Sequence, residues 1–370
     1  MKICYLSHIN NYHTLKWVNA FAARGYEVSV LSLEEPVSLS GKIDERVNVF
    51  PIHNGGSRNG SDLHKVGYLA AVRQVSRLID SIDPDIVHAH YASSYGLIAS
   101  LACKRPYYLS VWGSDVYEFP KKTPLHRIII KRSIDKAAWL MSTSRAMARE
   151  AGKYTHKSFY ITPFGVDMEL FSPDLRERHE GFVVGTVKGL ESKYGMDILL
   201  RACAELKAKM PQLELRVRIA GAGSQERNLH MLADSLGMGG YLTWLGYISQ
   251  EAAAREWASF DVACVPSRSE SFGVSAVEAQ ACGAPVVISD VPGLMEACDN
   301  GKTAIVVPRE DHHALADALS RLVCDDSLRK RMGAVGRSYV EKEYEVDECF
   351  DCIERIYESN LRSSVSVSRS

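Results

Sequence analysis

No stretch of this 370-residue chain approaches the ~18 consecutive apolar residues that a membrane-spanning helix requires. The opening Met1-Lys2-Ile3-Cys4-Tyr5-Leu6 is too short for a secretory h-region, so a cytoplasmic protein is expected. No Gly-x-Gly-x-x-Gly follows a predicted strand and no Gly-x-x-x-x-Gly-Lys occurs, which removes the usual dinucleotide and nucleoside-triphosphate signatures. Gly221-Ala222-Gly223 does follow a strand, but without the third glycine. An excess of one charge is also lacking. Lys plus Arg is 44 against 45 for Asp plus Glu, so no nucleic-acid partner is expected. The nine cysteines are an odd number scattered through apolar segments, which suits free, buried thiols in a reducing compartment. Cys349-Phe350-Asp351-Cys352 has redox spacing, but it lies in a helical pattern with no second pair.

What is present is a regular alternation of short β-type runs and helical patterns, the signature of βαβ units and parallel sheets. Strands are predicted at 2–6, 27–33, 85–89, 107–111, 139–142 and 157–161, with helices at 15–24 and 66–80. A second series begins at 182–187 and continues at 214–220, 241–245, 262–265, 285–288 and 304–307. Between them, residues 171–181 have the composition of a linker and hinge. The expected organisation is therefore two doubly wound α/β domains, 1–172 and 173–345. A last helix covers about 346–362, and the Ser-rich tail 363–370 is expected to fray. Residues 1–172 carry 21 basic and 15 acidic side chains, and the remainder carries 23 and 30. The first domain is thus the one suited to an anionic surface or acceptor.

The densest chemistry lies between Pro266 and Pro285. The segment leaves a strand, crosses a glycine turn, runs as a helix from about Val274 to Cys282, and enters another strand. The free N–H groups of Gly273, Val274 and Ser275 at the helix start form an anion site suited to a diphosphate. Glu270 stands before the helix, where a carboxylate can reach a sugar hydroxyl. Glu278, one turn in, can accept from the vicinal hydroxyls of a ribose. Its apolar and small neighbours argue against a solvated position.

On these residues the chain resembles the retaining, nucleotide-sugar-dependent glycosyltransferases of the GT-B architecture, the group with an E-x7-E signature, here Glu270 to Glu278. Supporting matches are Gly165-Val166-Asp167 with Phe171 and Pro173, Gly185 through Lys193 to Asp197 and Leu200, Gly221-Ala222-Gly223, Phe260-Asp261-Val262, and Pro292-Gly293-Leu294-Met295-Glu296. The resemblance implies two Rossmann-like domains facing across a cleft, with the last helix crossing back to the first domain. It implies that Lys188 and Lys193 meet the donor diphosphate, that Glu270 binds the sugar, and that Glu278 holds the ribose. Gly273, Val274, Ser275 and Gly221 belong to the same donor site. No metal or other cofactor is implied, because the helix start and the lysines replace it.

Ser110-Val111-Trp112-Gly113-Ser114-Asp115 aligns with a family motif that usually ends His-Gly-x-Asp, so Trp112 stands where an imidazole is common. The expectation is a pocket wall at Trp112 and Asp115 that meets the donor sugar, with a 6-deoxy or N-acetylated hexose among the candidates. His88-Ala89-His90 closes a strand, and alternation is expected to turn the two rings to opposite faces, which excludes a metal pair. His8, Asn10, Asn11 and His13, in the loop after the first strand, are expected to face acceptor or cleft. The segment Lys121–Lys136 combines five Lys or Arg within 121–132 with a stripe of Leu125, Ile128, Ile129 and Arg132, which suits weak peripheral contact with an anionic leaflet. The expected activity is retaining, metal-independent transfer of a hexose from a nucleoside diphosphate, UDP by preference, to a hydroxyl of a glycan or lipid-linked acceptor in cell-surface polysaccharide synthesis. The alternatives are a sugar-nucleotide 2-epimerase and a non-catalytic sugar-nucleotide-binding partner subunit.

Overall fold

Among the described residues, thirteen strands alternate with helices and sort into two parallel sheets. The computed structural model describes residues 1–37, 42–52 and 64–367, without the side chains of 64–70 and 363–367. The chain divides into two compact units, Met1–Pro163 with Phe350–Ser370, and Phe164–Cys349. The first changeover thus falls at 163/164, ahead of the expected 172/173, and the second falls inside the last helix.

In the first unit β1 (Lys2–Leu6), β2 (Glu27–Ser32), β3 (Val47–Pro51), β4 (Ile86–His90), β5 (Tyr108–Val111), β6 (Trp139–Ser142) and β7 (Phe159–Ile161) pair in the order 3-2-1-4-5-6-7. In the second unit β8 (Phe182–Val187), β9 (Leu215–Ala220), β10 (Leu242–Gly246), β11 (Val262–Val265), β12 (Val286–Ser289) and β13 (Ala304–Val307) pair in the order 10-9-8-11-12-13. Both orders reverse beside the first strand of their sheet, between β1 and β4 and between β8 and β11. In open sheets of this kind the crevice at the carboxyl ends of that strand pair is where ligands bind. The central strands β4, β5, β11 and β12 are buried at every position, as helices on both faces require.

Particular residues explain the close packing. Gly185 of β8 has no side chain because a Cβ there would lie 2.3 Å from the Phe260 ring. Asp261, next to it, accepts from the Val183 N–H at 2.9 Å and ties the start of β11 to β8. Gly165 adopts φ +68°, and a Cβ there would lie 2.8 Å from the Val346 Cα. The backbone at 166 then bonds to 344 and 346, with Val166 N to Tyr344 O at 2.7 Å and Val346 N to Val166 O at 3.1 Å. The Gly165-Val166-Asp167 motif is thereby a seat for the segment that enters the last helix. That helix runs Val346–Val367, so the expected fraying does not hold through 367, and 368–370 lie outside the described residues. From Phe350 it packs with the first unit, where Arg24 meets Asp351 at 3.1 Å and Glu354 at 3.8 Å.

Candidate functional site

In the second unit the loops leaving β8 and β11 converge on one buried ion pair. Lys188 is the first residue after β8, and its Nζ lies 2.6 Å from Glu270 Oε2 in the loop after β11. Both side chains are only 10% exposed. Burial alone would lower the Lys188 pKa, but the Glu270 charge outweighs it and holds the ammonium above its ordinary value. The Tyr194 ring adds a cation–π contact 4.5 Å from Lys188 Nζ, and Lys193 Nζ lies 5.3 Å from the same ring.

The backbone around the pair is built by glycines. Gly221 (φ +142°) follows β9, and a Cβ there would fall 1.9 Å from the Lys188 carbonyl oxygen. Gly221 therefore serves the site by letting the Lys188 loop pass against it. A Cβ at Gly293 would meet Glu270 O at 2.4 Å, so the start of the helix Pro292–Ala297 carries the Glu270 loop in the same way. Arg268 fixes that loop with a bidentate bond to Asp197, at 2.9 and 2.8 Å, and a bond to Ser192 O at 2.7 Å. Lys193 O in turn accepts from Arg268 N at 2.8 Å.

Gly273 takes φ +101° and starts the helix Val274–Ala281. The first bonds of that helix run from Ala276 N and Val277 N to Gly273 O, so the amides of Gly273, Val274 and Ser275 donate to no protein acceptor among the described residues. Ser275 Oγ donates to Val187 O at 3.1 Å and pins the helix start against the end of β8. Glu278 is buried, 9% exposed, and accepts from Trp257 Nε1 at 3.2 Å. The structure thus brings Lys188, Glu270, Gly273, Val274, Ser275 and Glu278 to the strand-order reversal of one sheet, with Gly221 behind them. It adds two residues that sequence reasoning misses, Trp257, which orients Glu278, and Tyr194, which holds both lysines. Neither has a spacing signal, since each reaches the site through tertiary packing.

In the first unit the corresponding reversal, between β1 and β4, is filled by rings. His88 and His90 lie on the same face, ring centroids 4.7 Å apart, because residues i and i+2 of a strand point the same way. The expectation of opposite faces is therefore wrong. Metal ligation is still not what they do. His88 Nδ1 lies 2.5 Å from the Tyr357 hydroxyl and Nε2 lies 2.8 Å from Ser110 Oγ, while His90 Nδ1 lies 2.9 Å from Ser7 Oγ. Burial pushes the His88 pKa down to about 3 and the His90 pKa well below its ordinary value. Both rings are neutral in the fold and would take up protons on unfolding below pH 6.5. The first unit is therefore expected to lose stability as pH falls through that range, by about 1.4 kcal/mol per pH unit per histidine. Urea unfolding of wild type and His88→Asn between pH 7 and 5 would check it, the variant showing the shallower decline.

Trp112 is 6% exposed and packs against His90, centroids 4.2 Å apart with the rings tilted by 31°. Trp17 and Tyr91 lie at 6.0 and 5.6 Å. One face of the Trp112 ring is thus taken by the imidazole. Asp115 is fully buried and accepts from Ala92 N at 2.9 Å, Trp112 N at 3.2 Å and Gly113 N at 2.8 Å. Burial raises its pKa against the pull of those amides. Its carboxylate locks the Trp112 loop to a π-helical turn at Tyr91–Tyr95 that opens with Tyr91 at φ +68°. Such strained turns cluster at functional sites. Asn11 caps the helix Tyr12–Ala23, and Asn10 bonds Glu35 O and Val37 N, so Asn11 is spent on its own helix and Asn10 on the loop after β2.

Two further features lie away from these sites. Asp83-Pro84-Asp85 has Asp-x-Asp spacing, but it precedes β4 at the amino end of the sheet, with Asp83 on Arg105 and Asp85 on Lys2 N. Among the described residues one group could hold a metal ion, Glu205 with His312 and His313, and none of these is a predicted site residue. All nine cysteines are free. No described helix is long and apolar enough to cross a membrane.

Residues 2–144 match the family model described as glycosyl transferase 4-like, and residues 167–339 match that of glycosyl transferases group 1. The chain is 30% identical over 307 residues to a D-inositol 3-phosphate glycosyltransferase of Corynebacterium jeikeium, covering 75% of this chain and 73% of that protein. A namesake from Stackebrandtia nassauensis is 28% identical over 366 residues, with 88% and 81% covered. In fold it is similar to sucrose-phosphate synthase of Thermosynechococcus elongatus, with TM-score 0.84 at 19% identity over 98% of this chain and 100% of that one. It also resembles the Anabaena protein HepE in complex with UDP and glucose, with TM-score 0.80 at 17% identity over 97% and 100%. Matched across both units, with a parallel sheet of Rossmann order in each, the chain belongs to the group 1 glycosyltransferases, nucleotide-sugar enzymes of the GT-B type.

Proposed function

We propose that the chain transfers a hexose from a UDP-sugar to a hydroxyl of a glycan or lipid-linked acceptor, with retention at the anomeric carbon, without a metal ion, and at the inner face of a membrane. The observation that carries the donor side of this reading is the buried Lys188–Glu270 pair beside a helix start whose first amides bond no acceptor among the described residues. As the bond from the sugar C1 to the β-phosphate oxygen breaks, negative charge builds on the departing diphosphate. Lys188, Lys193 and the amides of Val274 and Ser275 are placed to meet it, and fixed donors of this kind need no reorganisation at that moment. An arriving phosphate competes for Lys188, which releases Glu270 to accept from a sugar hydroxyl. Glu278, oriented by Trp257, accepts from the ribose diol. The acceptor hydroxyl adds to C1 on the face the diphosphate leaves, and its proton passes to the departing phosphate oxygen.

UDP as the nucleotide is supported by the bound UDP of the similar Anabaena structure, and an anionic, phosphorylated acceptor by the relatives named for D-inositol 3-phosphate and by the basic first unit. The test is slow donor hydrolysis. Incubating the protein with UDP-glucose, UDP-N-acetylglucosamine and a UDP-6-deoxyglucose in excess EDTA, and following the freed sugar by NMR, should show one donor consumed and the anomer of the donor appearing first. First appearance of the opposite anomer would refute retention, and turnover only without EDTA would refute metal independence. Binding of a donor without turnover would favour the non-catalytic sugar-nucleotide-binding partner.

A further inference from the structure

The helix Pro124–Lys136 turns the wrong stripe to the core for an ordinary packed helix. Thr123 caps it, and Ile130, Ser133 and Ile134 are its buried residues. The opposite side carries Leu125, 51% exposed, and Ile128, 64% exposed, beside exposed Lys131 and Arg132. The apolar stripe that an ordinary helix would bury therefore faces solvent, and the core contact is made one position round. The neighbouring helix Gly96–Ala102 packs against it and exposes Leu101 at 42%. Leu125 and Ile128, three residues apart on one face of this helix, thus form an exposed aliphatic pair.

Charge says what covers it. Lys121, Lys122, Arg127, Lys131 and Arg132 surround the stripe, all exposed. Among the described residues, no carboxylate ion-pairs with Lys122, Arg127, Lys131 or Arg132. At the flank, Arg127, Lys131, Lys153, Tyr154, Thr155 and His156 line a cavity of about 260 Å³. The Arg127 guanidinium lies 5.9 Å from the Tyr154 ring, which holds it at the cavity edge. Asp135 is the cavity's acidic member, and Lys153 also pairs with Glu150 at 2.5 Å. A protein partner would have to match cations and aliphatics in one stripe. An anionic bilayer offers both at once, phosphates outside and acyl chains beneath.

We infer that this face of the first unit docks on an anionic phospholipid surface, with Leu125 and Ile128 entering the acyl boundary and a lipid phosphate seated between Arg127, Lys131 and His156. This specifies the membrane side of the proposed function and rests on it for its purpose, but its test is independent of donor chemistry. The full chain is sedimented with vesicles of phosphatidylcholine, with and without phosphatidylglycerol, across a salt series. Binding is expected only with phosphatidylglycerol and should weaken with salt. Arg127→Gln with Lys131→Gln should cut partitioning by about fivefold per lost cation and flatten the salt dependence. Leu125→Ser with Ile128→Ser should cut it by about tenfold or more. These positions are exposed, so all variants should keep the wild-type unfolding midpoint. Wild-type binding that ignores phosphatidylglycerol, variants that bind as wild type, or binding of free glycerol phosphate without vesicle binding would each overturn the inference. Failure of every UDP-sugar to be turned over would strike the donor reading and leave this result standing.

Discussion

Replacing Lys188 with methionine is expected to cost the free protein about 3–5 kcal/mol, because it leaves Glu270 buried without its counter-charge. The figure applies here because both members are only 10% exposed, so solvent screens the pair little. Transfer should fall by at least about a hundredfold, since a positioned cation acts on charge that exists only in the transition state. The loss should appear in kcat as well as in kcat/KM. A second variant separates the two effects. Lys188→Met with Glu270→Leu removes both charges, and replacing a whole buried pair by apolar groups is often neutral for stability. Stability should largely return while activity does not. Urea midpoints and initial rates on the three proteins decide it, and a double variant as unstable as the single one would mean that the pair is not what holds these loops. The pair's own stabilisation should be insensitive to pH near neutrality. Lys188 is raised above 10.5, so its share is complete below that value and is lost only as pH climbs past the raised pKa.

Glu278→Ala should act differently. The carboxylate is poised for ground-state binding of the nucleoside, so its removal should raise the KM for donor and the Kd for UDP by about 10–100-fold, the range of one to two hydrogen bonds to a charged group. The kcat at saturating donor should change far less than in the Lys188 variant. Trp257→Phe leaves Glu278 in place without its Nε1 donor at 3.2 Å, and about a fivefold rise in Kd, about 1 kcal/mol, is the expected cost of an unheld carboxylate. A Glu278 variant that loses kcat with an unchanged KM would place that residue at the reacting sugar instead of the ribose.

Much of this site is legible in the amino-acid sequence, for physical reasons that the particular residues make plain. Glu270, Gly273 and Glu278 lie in a single strand–turn–helix segment, so their geometry follows from local rules of helix starts and one-turn spacing. Strands such as 182–187 and 262–265 coincide with their predicted bounds because they are short, buried, Val-rich runs. β3, Val47–Pro51, escapes the same reading. It is an edge strand with one buried residue, and its weak alternation leaves no pattern to find. Trp257 is invisible for another reason. Its bond to Glu278 spans 21 residues and depends on two helices packing together, which no spacing encodes. Trp112 shows the limit of reading a substitution alone. Its ring is expected to be offered to a sugar, and His90, a residue of the neighbouring strand, covers one face of it. For Pro124–Lys136 the stripe is legible but its direction is not, because Ile130 and Ile134 form an equally apolar stripe on the other side.

The central claim, that the helix start at Gly273–Ser275 with Lys188 and Glu278 holds a nucleoside diphosphate without metal, is tested most directly by calorimetric titration of UDP in EDTA. Wild type should bind with one site per chain, and Glu278→Ala, shown to be folded by a cooperative unfolding transition, should bind about 10–100-fold more weakly. Absence of wild-type binding in EDTA, or equal affinity in the two proteins, would contradict it.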